Sequence, residues 1–172
     1  VMKAVEKGKI TLDQTLDNYF PTVPNAGKIT IGQLLQHRSG IYNFTAAEDY
    51  LTWCTQHKSR AELLAIIVRG GSDFDPGSKA SYSNSNYVLL SMILEKIYGR
   101  PYGVLLKKQI TKPLGLKYTT LGGKADPAKN QCRSYAHRSG WTLEQETNMS
   151  VSLGAGGIVS TPSDLVKFSD AL

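Results

Sequence analysis

The chain has 172 residues, a formal net charge of +6, 41% apolar residues and 20% charged residues. This composition is typical of a globular chain of about one domain and excludes a disordered or low-complexity segment. The basic residues are scattered singly, so no nucleic-acid-binding surface is predicted. No apolar run approaches the roughly 20 residues that a membrane-spanning helix needs.

The first half of the chain predicts short helices separated by turns. The opening residues VMKAVEK resemble the end of a helix terminated by Gly8, which favours a chain that continues upstream. Thr30 is the predicted N-cap of a short helix formed by IGQLLQH. Ser59 and Glu62 have the spacing of a capping box and predict a helix over AELLAIIVR.

A longer amphipathic helix is predicted to begin near Asn84 and to end at Gly99. Four residues at helical spacing define its predicted apolar face: Tyr87, Leu90, Leu94 and Ile97. A further helix is predicted over PYGVLLKKQI, with Pro101 in its first turn.

The pattern changes after about residue 117. The segments KYTTLGG, CRSYAH and WTLEQET alternate in the manner of short strands. GAGGIV predicts a tight glycine loop whose backbone passes close to another part of the molecule. Thr161 is the predicted N-cap of a last helix that begins with Pro162. The chain is therefore predicted to be mainly α-helical with a few short β-strands.

Several residue types give no functional signal. The three histidines lack the spacing of metal ligands, and neither a metal nor an organic cofactor is predicted. Cys54 and Cys132 match no metal or redox motif, and a disulfide between them stays open. The triplets at 43–45 and 148–150 fit the N-glycosylation acceptor pattern, which is short enough to occur by chance.

Tyr82 and Asn84 allow two interpretations on their own. A tyrosine just before a helix commonly packs, and Ser83 or Asn84 commonly caps the helix. A phenol and a carboxamide two residues apart can also form part of a catalytic site, since phenols transfer protons and amides orient substrates. The residues by themselves leave both interpretations open.

The surrounding sequence resembles a known superfamily. Residues 76–119 are similar to the central signature of serine β-lactamases and penicillin-binding proteins, PG-x-x-x-x-YSN-x-x-Y-x-LL followed by PLG[LM]. They are nearest to the branch of class C β-lactamases, DD-carboxypeptidases and related esterases. KITIGQLLQHRSGI resembles that branch's T-I-x-x-LL-x-H-x-SG-[LI] segment, and GAGGIVSTPSDLVKF resembles its GGL-x-ST-x-x-DL-x-x-F segment. With the opening VEKGKITLDQTLDNYFP, the resemblance runs in order along nearly the whole chain.

The resemblance implies a fold and a reaction. The expected fold is the helical domain of the β-lactamase/DD-peptidase-like α/β fold, with most of the antiparallel sheet absent from residues 1–172. The implied function is that of a serine hydrolase acting by acyl-enzyme transfer on a β-lactam, a D-amino-acid peptide or an ester. The alternative is a non-catalytic binding or regulatory protein on the same scaffold. An exported or membrane-anchored location is also implied.

The same resemblance assigns roles to three residues. Tyr82 is implied as the general base and acid, and Asn84 as the residue that orients the substrate amide. Gly156 lines the substrate cleft at a position where class C enzymes carry a tyrosine, which argues against strong cephalosporinase activity. Metal ligands are not implied.

The resemblance also identifies what residues 1–172 lack. The partner motifs Ser-x-x-Lys and Lys-Thr-Gly or His-x-Gly do not occur in the chain. They are expected before Val1 and after Leu172, so the chain is expected to be one domain-sized segment of a larger catalytic domain. The segment alone is expected to be inactive and to self-associate through surface that the sheet would cover.

Overall fold

The computed structural model describes residues 1–172, and helices dominate it. The α-helices are α1 (Met2–Glu6), α2 (Ile31–Leu35), α3 (Tyr50–Trp53), α4 (Arg60–Gly70), α5 (Asn84–Tyr98), α6 (Tyr102–Leu106), α7 (Met149–Gly156) and α8 (Pro162–Ser169). Residues Lys107–Thr111 continue α6 as π-helix. Single 3-10 turns occur at Leu16–Asn18, Ala26–Lys28, Phe44–Ala46 and Pro127–Lys129. The prediction of a mainly α-helical chain is confirmed. None of the helices combines the length and apolarity needed to cross a lipid bilayer.

The strands form two small antiparallel pairs. They are β1 (Thr120–Leu121), β2 (Tyr135–His137), β3 (Trp141–Leu143) and β4 (Ile158–Val159). β1 pairs with β4, and β2 forms a hairpin with β3 in which Tyr135 lies opposite Leu143. These strands arise in the three segments that the sequence predicted and in the apolar residues after the glycines. A large sheet is not formed by residues 1–172.

Helix α5 lies at the centre of the hydrophobic core. It packs against α2, α4, α6 and most extensively α7. Its buried apolar residues are Val88, Leu89, Leu90, Met92 and Ile93. The predicted stripe of Tyr87, Leu90, Leu94 and Ile97 does pack on the core, but it was too narrow, since residues outside it are buried as well. A helix enclosed by neighbours on most sides needs apolar residues around most of its circumference.

The predicted helix caps are confirmed wherever the signal is local. The Thr30 hydroxyl accepts a hydrogen bond from the Gln33 backbone N–H at 3.1 Å. Ser59 and Glu62 form the reciprocal capping box. Gly99 ends α5 in the left-handed conformation, with φ of 61°. Each of these devices joins residues within four positions of one another, which is why the sequence reveals them.

The prediction of a glycine loop over GAGG was wrong, because Gly154 and Gly156 belong to helix α7. This helix is kinked at Leu153, whose φ is 38° and ψ is −126°. A Cβ atom on Gly154 would lie 3.0 Å from both the Ser91 Cβ and the Tyr87 carbonyl oxygen of α5. The glycine therefore permits close approach of two helices. At Gly156 a Cβ atom would meet nothing within 4 Å.

A single carboxylate joins three helices. The Glu95 side chain accepts hydrogen bonds from Arg60 Nε at 2.7 Å and Nη2 at 3.0 Å, and from the Tyr102 backbone N–H at 2.8 Å. Burial acts to raise the pKa of the Glu95 carboxyl, but the Arg60 and Tyr102 donors together hold that pKa below its ordinary value of 4.5. The ionised form is thus stabilised in the folded chain.

The two cysteines are free thiols, with Cys54 buried and Cys132 exposed. Helix α8 exposes apolar side chains, with Leu165 at 57% and Val166 at 60% exposure. The expected self-association stays a prediction.

We expect the two glycines of α7 to respond oppositely to alanine. Gly154→Ala should lower the free energy of unfolding by about 1–3 kcal/mol, because its Cβ overlaps α5. Gly156→Ala should change it by no more than about 0.5 kcal/mol, because that Cβ enters open space. Urea unfolding of both variants measures the difference. Equal losses would show that α7 does not pack on α5 through Gly154.

We expect Glu95→Gln to lower the free energy of unfolding by about 1–2 kcal/mol at neutral pH, allowing for the partial exposure of Arg60. Because the folded-state pKa of Glu95 is lowered, the wild-type advantage is present above the ordinary value of 4.5 and is lost as the pH falls through the folded-state pKa. Urea unfolding at neutral pH and at about pH 3 measures this. The exposed pair of Lys129 and Asp126 is the control: Lys129→Gln should have little effect at either pH.

Candidate active site

The structure brings Tyr82 and Asn84 into direct contact. Tyr82 lies in the extended segment before α5, and Asn84 is the first residue of that helix. The Tyr82 hydroxyl donates a hydrogen bond to Asn84 Oδ1 at 3.1 Å. Tyr82 is 64% exposed, so its phenol is accessible from outside the core. A phenol and a carboxamide thus form one polar unit at the start of α5.

Asn84 does not cap its own helix. Its backbone N–H donates to Asn43 Oδ1 at 3.0 Å, so a side chain from another segment fills the capping role. Its side-chain Nδ2 donates to Thr45 Oγ1 at 2.8 Å. Thr45 Oγ1 in turn donates to Asn43 Oδ1 at 3.0 Å. These bonds fix the orientation of the Asn84 carboxamide and rule out the capping interpretation for it.

No role was predicted for Asn43 and Thr45 from the sequence. They are the first and last residues of the triplet at 43–45, which fits the N-glycosylation acceptor pattern. In the structure, Asn43 accepts hydrogen bonds from Asn84 and Thr45. The triplet at 148–150 has a similar local explanation, since Asn148 caps α7 by accepting from the Ser150 N–H. Both patterns reflect polar anchoring at the start of a helix.

Asn84 and Gly156 line the same cavity. It has a volume of about 250 Å³ and is lined by Phe44, Thr45, Tyr50, Asn84, Ser152, Ala155 and Gly156. Tyr82 is not among the lining residues, but its bond to Asn84 places its phenol at the edge. Three larger cavities, of about 490, 610 and 740 Å³, contain none of the three predicted site residues. The small cavity is therefore the candidate substrate site, because the polar groups converge there.

The cavity walls are aromatic and uncharged. Phe44 is buried, and Tyr50 contacts it edge-on with ring centroids 6.0 Å apart. Burial raises the pKa of the Tyr50 phenol above its ordinary value of 10.0, so this wall stays neutral at physiological pH. With Thr45 and Ser152 as polar members, the cavity suits a small ligand that has an apolar portion and an amide or ester group.

His37 packs against the Tyr82 ring and bonds to the backbone between Tyr82 and Asn84. Its Nδ1 accepts the Ser83 backbone N–H at 3.2 Å, and its ring centroid lies 4.6 Å from that of Tyr82. Burial lowers the pKa of the His37 imidazole below its ordinary value of 6.5. The sequence matched this histidine to a family segment but assigned it no role. Its significance depends on contacts with residues more than 40 positions away.

The arrangement places an accessible phenol and a fixed carboxamide together but includes no Ser-x-x-Lys nucleophile pair. The Tyr82 phenol is exposed, and the Asn84 amide is fixed beside an open cavity. The motif Ser-x-x-Lys is absent from residues 1–172. No cluster of three or more His, Cys, Asp or Glu side chains has the geometry of a metal site.

The chain is similar to known hydrolases over nearly its whole length. The family described as Beta-lactamase matches residues 1–172. The D-alanyl-D-alanine-carboxypeptidase/endopeptidase AmpH of Escherichia coli is 31% identical over 98% of this chain and 44% of its own length. The teichoic acid D-alanine hydrolase of Staphylococcus aureus is 26% identical over 94% of this chain and 39% of its own length. The chain thus spans less than half the length of these curated relatives.

Solved structures agree with the sequence comparison. A D-stereospecific amidohydrolase from Streptomyces superposes with a TM-score of 0.86 and 32% identity, covering 99% of this chain and 55% of that protein. A D-amino acid amidase from Ochrobactrum anthropi superposes with a TM-score of 0.85 and 32% identity, covering 98% of this chain and 50% of that protein. Since both the family match and the fold extend over essentially all 172 residues, the chain belongs to the beta-lactamase family.

Proposed function

We propose that this chain supplies the proton-transfer and substrate-orienting part of a serine hydrolase that acts on D-amino-acid derivatives through an acyl-enzyme. The observation that carries the proposal is the hydrogen bond between Tyr82 and Asn84 at the edge of the cavity that Gly156 lines. The reacting serine and its lysine are proposed to come from sequence outside residues 1–172.

The names of the relatives support D-amino-acid derivatives as the substrate class over β-lactams and esters. The matched proteins include a D-alanyl-D-alanine-carboxypeptidase, a teichoic acid D-alanine hydrolase, a D-stereospecific amidohydrolase and a D-amino acid amidase. Each name refers to a D-amino-acid or D-stereospecific substrate. β-Lactams and simple esters remain in the test as competing substrates.

The proposed reaction assigns a step to each polar group. The serine Oγ attacks the carbonyl carbon, and the Oγ proton passes to the Tyr82 phenol oxygen. The phenol gives its own proton to the leaving nitrogen or oxygen as the bond between that atom and carbon breaks, so Tyr82 is neutral before and after the step. Water attacks the resulting serine ester in the second half, giving up a proton by the same route and releasing the acid and the serine.

Asn84 and Gly156 are proposed to bind the acyl part of the substrate. The Asn84 carboxamide, held by Thr45 and Tyr82, presents a fixed dipole to the substrate amide. Gly156 leaves space where a side chain would stand, since its Cβ position is open. An apolar side chain of the substrate would then enter the cavity against Phe44 and Tyr50.

We expect Tyr82→Phe to reduce acylation of the full-length protein roughly a hundredfold or more, because the general base is lost. The rate is measured with a fluorescent penicillin, D-alanine p-nitroanilide and p-nitrophenyl acetate. Tyr118→Phe is the matched control, since Tyr118 is 67% exposed and lies outside the site. Unchanged acylation in Tyr82→Phe would remove Tyr82 from the mechanism, whereas no acylation of the wild-type protein by any of the three substrates would favour a binding protein on this scaffold.

We expect Gly156→Leu to raise the KM for D-phenylalanine p-nitroanilide about tenfold and to leave that for D-alanine p-nitroanilide within about twofold. The leucine would occupy the space that a large substrate side chain needs. Steady-state kinetics on both substrates measure the ratio, and Gly156→Ala serves as the smaller step in the same series. Equal changes for the two substrates would show that the cavity does not receive the side chain.

Three further expectations stay predictions. Residues 1–172 alone should show no acyl transfer, because no nucleophile pair occurs in them. The location is expected to be exported or membrane-anchored. The exposed apolar residues of α8, Leu165 and Val166, are the proposed surface for self-association in the absence of a covering sheet.

A further inference from the structure

The protonation state of His37 is determined by its partners. Its Nδ1 accepts from the Ser83 backbone N–H at 3.2 Å, and a backbone N–H can only donate. Asn86 Nδ2 approaches the same Nδ1 at 3.2 Å. Asn86 Oδ1 is already engaged by the Ser39 hydroxyl at 2.6 Å, so the amide of Asn86 faces His37 with its NH₂ group. Two donors on Nδ1 require a neutral imidazole whose proton is on Nε2.

The His37 ring also contacts two tyrosine rings. Its centroid lies 4.6 Å from that of Tyr82 and 5.0 Å from that of Tyr87. Tyr87 is fixed independently, because its hydroxyl donates to the Leu35 carbonyl at 3.1 Å. The Tyr82 side chain has one hydrogen bond, to Asn84, and is otherwise exposed. The His37 ring is therefore the main packing support beneath the Tyr82 phenol.

The backbone is shaped to place His37 at this point. Its φ of 55° is in the left-handed region, where asparagine, aspartate and histidine are the non-glycine residues that occur most readily. The His37 carbonyl accepts the Ser81 N–H at 2.9 Å. His37 therefore bonds to both sequence neighbours of Tyr82. Its carbonyl oxygen accepts from the Ser81 N–H, and its Nδ1 accepts from the Ser83 N–H.

We propose that neutral His37 is a positioning residue for Tyr82, and that its protonation releases the Tyr82–Asn84 unit from its place beside the cavity. The inference rests on the proposed function, in which Tyr82 transfers the proton. A proton on Nδ1 replaces an acceptor by a donor and faces two N–H groups. The segment that carries Tyr82 then loses its bond from the Ser83 N–H to His37, and the first turn of α5 loses the bond from Asn86.

The groups around His37 allow this titration to be followed separately. Tyr82 and Tyr87 are the titratable groups that face its ring, and none of the three ion pairs involves it. The adjacent Arg38 directs its guanidinium to the Gly77 carbonyl oxygen. Burial lowers the pKa of His37 below 6.5, so the neutral form prevails above that value and acylation should fall as the pH drops through the lowered pKa.

Two substitutions of His37 distinguish the role of its ring from that of its Nδ1 acceptor. These variants and the control are made in the full-length protein. His37→Phe keeps a ring beneath Tyr82 but removes Nδ1 and the titration. His37→Asn tolerates the left-handed backbone but removes the ring. His137→Asn, in the exposed β2–β3 hairpin, is the matched control. Acylation by fluorescent penicillin, D-alanine p-nitroanilide and p-nitrophenyl acetate is measured between about pH 5 and 8, with thermal unfolding as the measure of folding.

We expect both His37 variants to lower the acylation rate constant about tenfold at neutral pH with little change in KM. The fall in rate on the acid side that wild type shows should be absent from His37→Phe and unchanged in His137→Asn. Nitrogen NMR of the wild-type imidazole should show His37 neutral with its proton on Nε2 at neutral pH. The Tyr82 ring signals should shift as His37 takes up its second proton.

Other results would overturn the inference. A proton on His37 Nδ1 at neutral pH, or Tyr82 signals that ignore the His37 titration, would show that the two residues are not coupled. The inference also fails if the His37 variants keep the wild-type acylation rate constant and its fall at acid pH, or if they lose only thermal stability. Tyr82→Phe in the same assay distinguishes the two levels of the proposal. If that variant keeps full acylation, the proposed function fails, whereas if it is inactive and the His37 variants are normal, only the role of His37 fails.

Discussion

The carboxamide of Asn43 holds the first turn of α5, and the candidate site depends on this bond. Helix α5 is the buried centre of the chain, so the N–H groups at its start need acceptors. Asn43 Oδ1 accepts the Asn84 N–H, which leaves the Asn84 side chain free of any capping duty. That side chain then bonds to Tyr82 on one side and Thr45 on the other. Because Asn43 caps the helix, the Asn84 side chain is available to line the candidate site at the start of α5.

The sequence predicts the elements well wherever the stabilising contact is local. Thr30, Ser59 and Thr161 each cap a helix through a residue three positions ahead, and Gly99 ends a helix by its own conformation. The mainly α-helical character with a few short strands follows from the same signals. Such contacts are encoded in adjacent residues, so pattern and propensity are sufficient to find them.

The sequence fails where the partner is distant along the chain. Asn43 and Asn84 are separated by 41 positions, and no pattern within either segment reveals the pairing. The close backbone approach predicted at GAGG is confirmed by Gly154 against α5, but the sequence did not show that these glycines lie in a helix or which element they contact. Resemblance located Tyr82, Asn84 and Gly156, but the residues that position them came from the structure. Candidate site residues can therefore be identified from sequence resemblance, whereas the residues that position them are identified from the structure.

The Glu95 carboxylate has a consequence for how the chain opens. It is bonded at once to Arg60 of α4 and to the Tyr102 backbone of α6, while belonging to α5 itself. If any one of the three helices unfolds, the partly buried Glu95 carboxylate is separated from hydrogen-bond partners. Unfolding of one helix alone is therefore unfavourable while the other two stay folded. The region should behave as one cooperative unit in hydrogen exchange, whereas the β2–β3 hairpin, whose strands expose most of their side chains, should exchange independently and earlier.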